Sequence, residues 1–423
     1  MEGRRAAAVV FLVALLARAV VLLAFDGGPS RPLEGDERDY AAVAGSLARG
    51  DGFGFDVHGF TRGGVLVDKR LVAFRAPLLP LLLAPAHLAS DGDPAVLRWM
   101  CVLLGAMAAP LAAVCAARLG GWRAAWIAGG LVSLWPSHAW LSARVLSEPL
   151  DSVLLLAAAD LLLRRRPFAG GAALGLALLC RPGGLLAALL ATIAAVSVEE
   201  RGRRVRTTFA ILGAVAVLLA PWALRNRAEF GQPLLATTSG LTLLGGNCDA
   251  ALEAEHPGKW MPPEVAWRGH GAPDLGPFGW SWLDEAESSA RFSEKAREWV
   301  AADPLRAAKL AAWKVVRFVD PDTRSGKEDA GRKALLGWLS WGPALLLVAV
   351  ALARGRQLRE PEWRLAIAFL AGHLAVAIVT YGDARMRAPV EPALLALLVA
   401  PLLADGVAKW ISRRDAVTVA PSP

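Results

Sequence analysis

Acids and arginines that could share one reaction recur at a few points along this 423-residue chain. The first is Glu34-Gly35-Asp36-Glu37-Arg38-Asp39-Tyr40, a run of carboxylates directly after an apolar segment. A carboxylate there can take the proton of a hydroxyl nucleophile, a general-base role for Asp36. At a helix start the same residue can simply cap, with Glu37 and Asp39 favourable in the first turn. Both readings stay open. Further on stand Arg75-Ala76-Pro77-Leu78-Leu79-Pro80, Ser147-Glu148-Pro149, Arg181-Pro182, Pro221-Trp222-Ala223-Leu224-Arg225-Asn226 and Asp383-Ala384-Arg385-Met386-Arg387. Guanidinium groups match phosphate oxygens with forked donors. Together, acids and arginines fit an alcohol that is deprotonated while a phosphate departs. Such a leaving group is already stable as an anion, so a bound metal is optional and no cofactor is required.

Composition says where such a site sits. The chain is 55% hydrophobic with a mean hydropathy of +0.42, too apolar for a soluble protein of this length, and reads as a multi-span, all-α membrane protein. Its formal charge of +8 would fit nucleic acid, but the basic residues fall in short blocks between apolar runs, the pattern of cytoplasmic loops. Nucleic acid is therefore excluded as a partner. The cysteines at 101, 115, 180 and 248 have no ligand-like spacing, so neither a disulfide framework nor a zinc site follows.

The elements that must position the charged groups follow from the apolar runs. Ala6–Phe25 reads as an uncleaved first span with its N-terminus inside, and Arg18 within it is either functional or snorkelling. The residues Tyr40, Val43, Ala44 and Leu47 fall at i, i+3, i+4 and i+7, which predicts a short amphipathic surface helix over 37–49 ended by Gly50. The apolar piece 76–90 is short and holds three prolines, so it reads as interfacial. Spans then fall at about 95–117, 122–141, 148–163, 167–181, 183–198, 207–223, 334–353, 364–380 and 389–405, ten with the first. Every basic block lands on the cytoplasmic side under this count, as do both termini. The expected organisation is a seven-span core over 1–223 with a first external loop at 26–94. An external region at 224–333, three spans within 334–408 and a cytoplasmic tail at 409–423 follow. The polar helix 283–302 is broken by Asp303-Pro304, and 305–319 is a basic amphipathic helix, either on headgroups or ordinarily packed.

With this topology Asp36-Glu37, Arg75, Glu148, Arg181, Arg225-Asn226 and Arg385 with Arg387 all converge on the external face. Dull roles exist for each: Glu148 complementing a helix dipole, Arg181 and Arg225 snorkelling, Arg385 and Arg387 solvated. Glycosyl transfer from a lipid-phosphate sugar to a hydroxyl needs both charge types at bilayer depth. The rival class is a transporter or flippase, for which intramembrane His373 would matter, and a second enzyme rival is a ligase of lipid-linked glycans.

The motifs above, with Gly231 and Pro233, Gly245-Gly246-Asn247, and Asp383-Ala384-Arg385-Met386-Arg387-Ala388-Pro389-Val390-Glu391-Pro392, come in the order of a known family. The chain resembles the GT-C glycosyltransferases of the protein O-mannosyltransferase and lipid A aminoarabinose transferase type, from about residue 10 to 405. The resemblance implies an inner-membrane enzyme that displaces a polyprenyl phosphate with inversion at the sugar carbon. Its partners would be the lipid-linked sugar and a hydroxyl acceptor. By carry-over Asp36 resembles the catalytic base, Glu37 its partner and Glu148 the second acidic residue. Arg225, with Arg75, Arg181, Asn226, Arg385 and Arg387, is expected on the phosphate or substrate. The chain departs from relatives at Ala76, Leu79 and Met386, and carries Arg75 where the aminoarabinose enzymes place a lysine. These departures leave the sugar and the acceptor open.

Overall fold

A long apolar run satisfies its own backbone in a bilayer only as a helix, and α1 (Glu2–Val20) does so, prolonged by a π-turn over Val21–Phe25. The structure is a computed structural model that describes residues 2–62, 65–266, 284–320, 338, 341–349 and 360–408. Arg18 does not snorkel. It is fully buried, donating to the carbonyls of Ala14 at 3.0 Å and Ser133 at 3.1 Å and meeting His138 Nδ1 at 2.7 Å. It stitches the first helix to segments far along the chain.

Next, α2 (Asp36–Arg49) is the expected amphipathic helix, with Tyr40, Ala41, Val43 and Ala44 buried and Gly50 closing it in the left-handed region at φ 82°. The all-α expectation is wrong for the Gly-rich stretch that follows. There β1 (Phe55–Arg62) pairs antiparallel with β2 (Val65–Leu71), Phe55 facing Leu71, with a register shift between Val57 and Phe60. Alternation over these residues is weak in sequence, so the hairpin gave little signal. Then α3 (Leu78–Ser90) packs on α2, with Leu79 and Leu83 in one cluster with Tyr40 and Ala44.

The bundle continues with α4 (Pro94–Ala106) and α5 (Ala108–Leu134), the latter broken at Gly120-Gly121 where the sequence places a loop. A short α6 (Pro136–Ser142) precedes α7 (Glu148–Leu163), α8 (Pro167–Cys180) and α9 (Leu185–Ser197). Then α10 (Arg201–Phe230) runs well past the expected 207–223. Pro221 to Asn226 therefore lie inside this helix rather than beyond it. Small residues let backbones approach: a Cβ on Gly171 would come within 2.4 Å of Ile211 O on α10.

The second charged region begins with α11 (Thr238–Gly246) and the short α12 (Asp249–Glu253) and α13 (Pro263–Ala266). It ends with α14 (Glu285–Ala302) and α15 (Pro304–Val319), started by side-chain caps from Asp284 and Asp303. Leu310, Lys314 and Phe318 bury one face of α15, while Leu305, Trp313 and Val316 stay exposed. Helices at Pro361–Val379 and Glu391–Ala408 close the bundle. His373 is buried in the former, its ring bonded to Phe369 O at 2.9 Å.

Five helices among the described residues are long and apolar enough to cross a membrane by length and composition, and the molecule is an integral membrane protein. They are Arg5–Phe25, Pro94–Leu134, Arg201–Phe230, Pro361–Val379 and Glu391–Ala408. The first of two spans expected in Pro94–Leu134 ends at the Gly120-Gly121 break. Leu78–Ser90, Pro167–Cys180 and Pro182–Ser197 are apolar but shorter. Most of the expected span 334–353 and the tail 409–423 lie outside the described residues.

Candidate active site

Gly35, at φ 51°, turns the chain into α2, so Asp36 is the first helical residue and no side chain caps the helix. The capping reading of Asp36 is therefore wrong. Positions 36, 39 and 40 share one helix face, and position 37 points about 100° away. On that shared face Arg75 arrives from the strap that follows β2. Its Nη2 donates to Asp36 Oδ1 at 2.6 Å and to Asp39 Oδ2 at 2.6 Å, and its guanidinium lies 5.4 Å above the Tyr40 ring.

Arg385 joins the other oxygen of Asp36. It stands in a single helical turn, Ala384–Arg387, started by Asp383, whose carboxylate accepts from the Arg385 amide at 2.8 Å. Arg385 Nη2 donates to Asp36 Oδ2 at 3.0 Å and to Glu148 Oε1 at 2.7 Å. Arg181, at the break between α8 and α9, reaches the same Glu148 oxygen at 3.0 Å and also Ser147 Oγ at 3.0 Å. Tyr40 OH donates to Ser147 Oγ at 3.1 Å. The result is a chain of alternating charge: Asp39, Arg75, Asp36, Arg385, Glu148, Arg181. Glu148 is buried, yet its Oε2 has no hydrogen-bond partner.

Electrostatics follow. Burial pushes the Asp36 carboxyl up, but the Arg75 and Arg385 guanidiniums together outweigh it and hold the group at about 2. For Asp39, burial is the larger effect and the carboxyl is raised despite Arg75.

The chain of charges lines a cavity of about 1350 Å³. Leu186, Val376, Val379, Leu241 and Leu243 give it an apolar wall, and Trp140, Trp260 and Trp341 present rings. The wall suits a hydrocarbon tail, and the rings suit a sugar.

Other expected site residues stand elsewhere. Glu37 is buried away from the cavity, accepting from Arg31 Nη1 at 2.8 Å, Arg98 Nη2 at 3.2 Å and the Val145 amide at 3.0 Å. It ties the start of α2 to Arg31, Arg98 and Val145, and does not line the cavity where its catalytic role was expected. Arg225 and Asn226 also lie outside the cavity: Arg225 Nη1 donates to Val72 O at 2.7 Å, and Asn226 Nδ2 to Leu234 O at 2.7 Å. Arg387 lines the cavity but is committed, to Glu391 Oε1 at 2.7 Å and Asp320 O at 2.8 Å. Sequence reasoning missed Asp39, Tyr40 and Ser147 as site residues, although the i, i+3, i+4 spacing of 36, 39 and 40 carried the signal.

No group of three or more His, Cys, Asp or Glu among the described residues could hold a metal ion. The cavity carboxylates Asp36 and Glu148 meet guanidiniums.

No protein-family model matches the chain, and no curated protein matches it in sequence. Solved structures do match in fold. What they share with this chain is a membrane-protein fold of the GT-C type. The oligosaccharyltransferase AglB from Archaeoglobus fulgidus, in complex with an inhibitory peptide and a dolichol-phosphate, aligns with a TM-score of 0.56 at 12% identity over 99% of this chain. An oligosaccharyltransferase from Archaeoglobus fulgidus in complex with Zn and sulfate aligns with a TM-score of 0.53 at 14% identity over 97% of this chain. This chain spans about half the length of these two matched chains, 52% and 51%. ArnT from Cupriavidus metallidurans bound to undecaprenyl phosphate gives a TM-score of 0.44 at 15% identity over 94% of this chain and 78% of its own. At such identities the likeness is one of fold.

Proposed function

We propose that the chain is a membrane glycosyltransferase that moves a sugar from a polyprenyl-phosphate carrier to a hydroxyl acceptor, with inversion and with Asp36 as general base. The observation that carries this reading is the alternating row of acids and guanidiniums at a cavity with an apolar wall. The acceptor oxygen attacks the anomeric carbon as its proton passes to an Asp36 oxygen, and the bond from that carbon to the phosphate oxygen breaks. The departing phosphate keeps the electron pair, and Arg75, Arg181 and Arg385 take up its charge. Glu148 holds Arg385 and Arg181 at the cavity through its Oε1.

An Asp36 carboxyl held near 2 is a weak base. Donor binding corrects this, because a phosphate competes for Arg75 and Arg385 and relieves the depression they impose. Base strength then rises only when the leaving group is in place. No step runs through a metal or cofactor. The site faces the exterior of the inner membrane, with ten spans and cytoplasmic termini. The transporter alternative wants charge at mid-span, whereas here it gathers at helix ends.

The test is sugar transfer from an undecaprenyl-phosphate donor by Asp36→Asn protein. It should lose about a hundredfold or more in kcat while still binding undecaprenyl phosphate. Near wild-type turnover would sink the assignment.

A further inference from the structure

Arg75 is held at its tip by Asp36 and Asp39, and something must also hold the strap that carries it. The two residues just before Phe74-Arg75 are clamped from the second charged region of the chain. Glu285, the first residue of α14 and buried, accepts from the amides of both Val72 and Ala73, the latter at 3.2 Å to Oε2. Its Oε2 also accepts from Thr237 Oγ1 at 2.6 Å. Thr237 in turn donates its amide to Ala73 O at 3.0 Å, and Arg225 donates to Val72 O at 2.7 Å. Both carbonyls and both amides of the Val72-Ala73 pair are thereby bound. Phe74, Arg75 and Ala76 line the cavity, whereas Glu285 stands behind its wall.

A carboxylate that gathers backbone amides fixes backbone direction more firmly than apolar contact does, since each buried amide left unpaired is costly. We propose that Glu285 is a positioning residue for Arg75, acting through the Val72 and Ala73 amides to set how the guanidinium meets Asp36 and an incoming phosphate. What Arg75 binds rests on the function proposed above; where Arg75 stands does not. The clamp also explains Arg225, whose charge serves the strap.

Two measurements separate these layers. In the first, the intact protein is treated with phenylglyoxal and Arg75 modification is followed by peptide mass spectrometry. Glu285→Gln and the milder Thr237→Val should each speed modification of Arg75 several-fold and leave buried Arg18 and Arg387 unchanged. Unaltered Arg75 reactivity in both variants, or a general rise at all three arginines, overturns the proposal. In the second, undecaprenyl phosphate is titrated into protein in nanodiscs. Glu285→Gln should weaken binding about tenfold in the wild-type background and not at all in an Arg75→Ala background. Equal weakening in both backgrounds overturns the positioning role. If wild-type protein does not bind undecaprenyl phosphate, the functional reading falls, and the modification rates alone decide the clamp.

Discussion

Asp36 and Glu37 are neighbours with opposite duties, and variants separate them. Asp36 is one-third exposed and faces the cavity between two guanidiniums, so Asp36→Asn acts on turnover. Glu37 sits on Arg98 and Arg31 with almost no exposure. Removing one partner of such a buried network costs about 3–5 kcal/mol. Glu37→Ala is therefore expected to lower the melting temperature sharply, with the folded fraction keeping its affinity for undecaprenyl phosphate. A variant as stable as wild type would restore Glu37 to the chemistry. The Asp36 titration has a definite sign. Its folded value near 2 lies below the ordinary carboxylate value near 4, so its stabilising contribution is fully present above about pH 4 and lost as pH falls toward 2. Melting temperatures recorded between pH 6 and 2 should fall less steeply for Asp36→Asn than for wild type. Parallel curves would contradict this. The helical spacing of 36, 39 and 40 was open to a reader of the sequence. The pairing of Arg385 with Asp36 was not, because it joins residues 349 apart, and nothing local encodes it.

At the level of elements, the site depends on contacts between backbones. Gly240 on α11 lies so close to α14 that a Cβ there would come 1.9 Å from Ser289 O. Gly240→Ala is expected to destabilise the protein by about 1–3 kcal/mol through overpacking, read as a lowered melting temperature. An unchanged melting temperature would mean that the two helices do not meet as described. The helices themselves were legible from apolar periodicity; α2 ends at Gly50, and α14 and α15 meet at the Asp303-Pro304 breaker. The β1–β2 hairpin was hidden because its stability comes from pairing and from Arg70, which bonds to Asp56 and to Asp51 O, rather than from an alternating apolar pattern. The expected span 207–223 covers only the apolar part of α10, which runs on through Arg225, Asn226 and Arg227. A proline in a long helix removes one hydrogen bond, and the helix continues to Gly231.

For the whole molecule, the proposed sidedness is the claim with most leverage. Cysteines placed at Asp91 or Asp93, in the turn between α3 and α4, should react with an impermeant thiol reagent added outside intact cells. Labelling only after the membrane is breached would reverse the orientation of the site. The fold also sets a problem of timing. Arg18 finds its carbonyl, hydroxyl and imidazole partners mostly 114 to 124 residues further along. While the ribosome is still making those residues, the first hydrophobic segment must leave the translocon with a bare guanidinium, a penalty of about 2.5–3.5 kcal/mol at mid-helix. Its leucines and valines alone must outweigh that penalty until the later helices arrive, so biogenesis, more than catalysis, constrains the hydrophobicity of the opening helix.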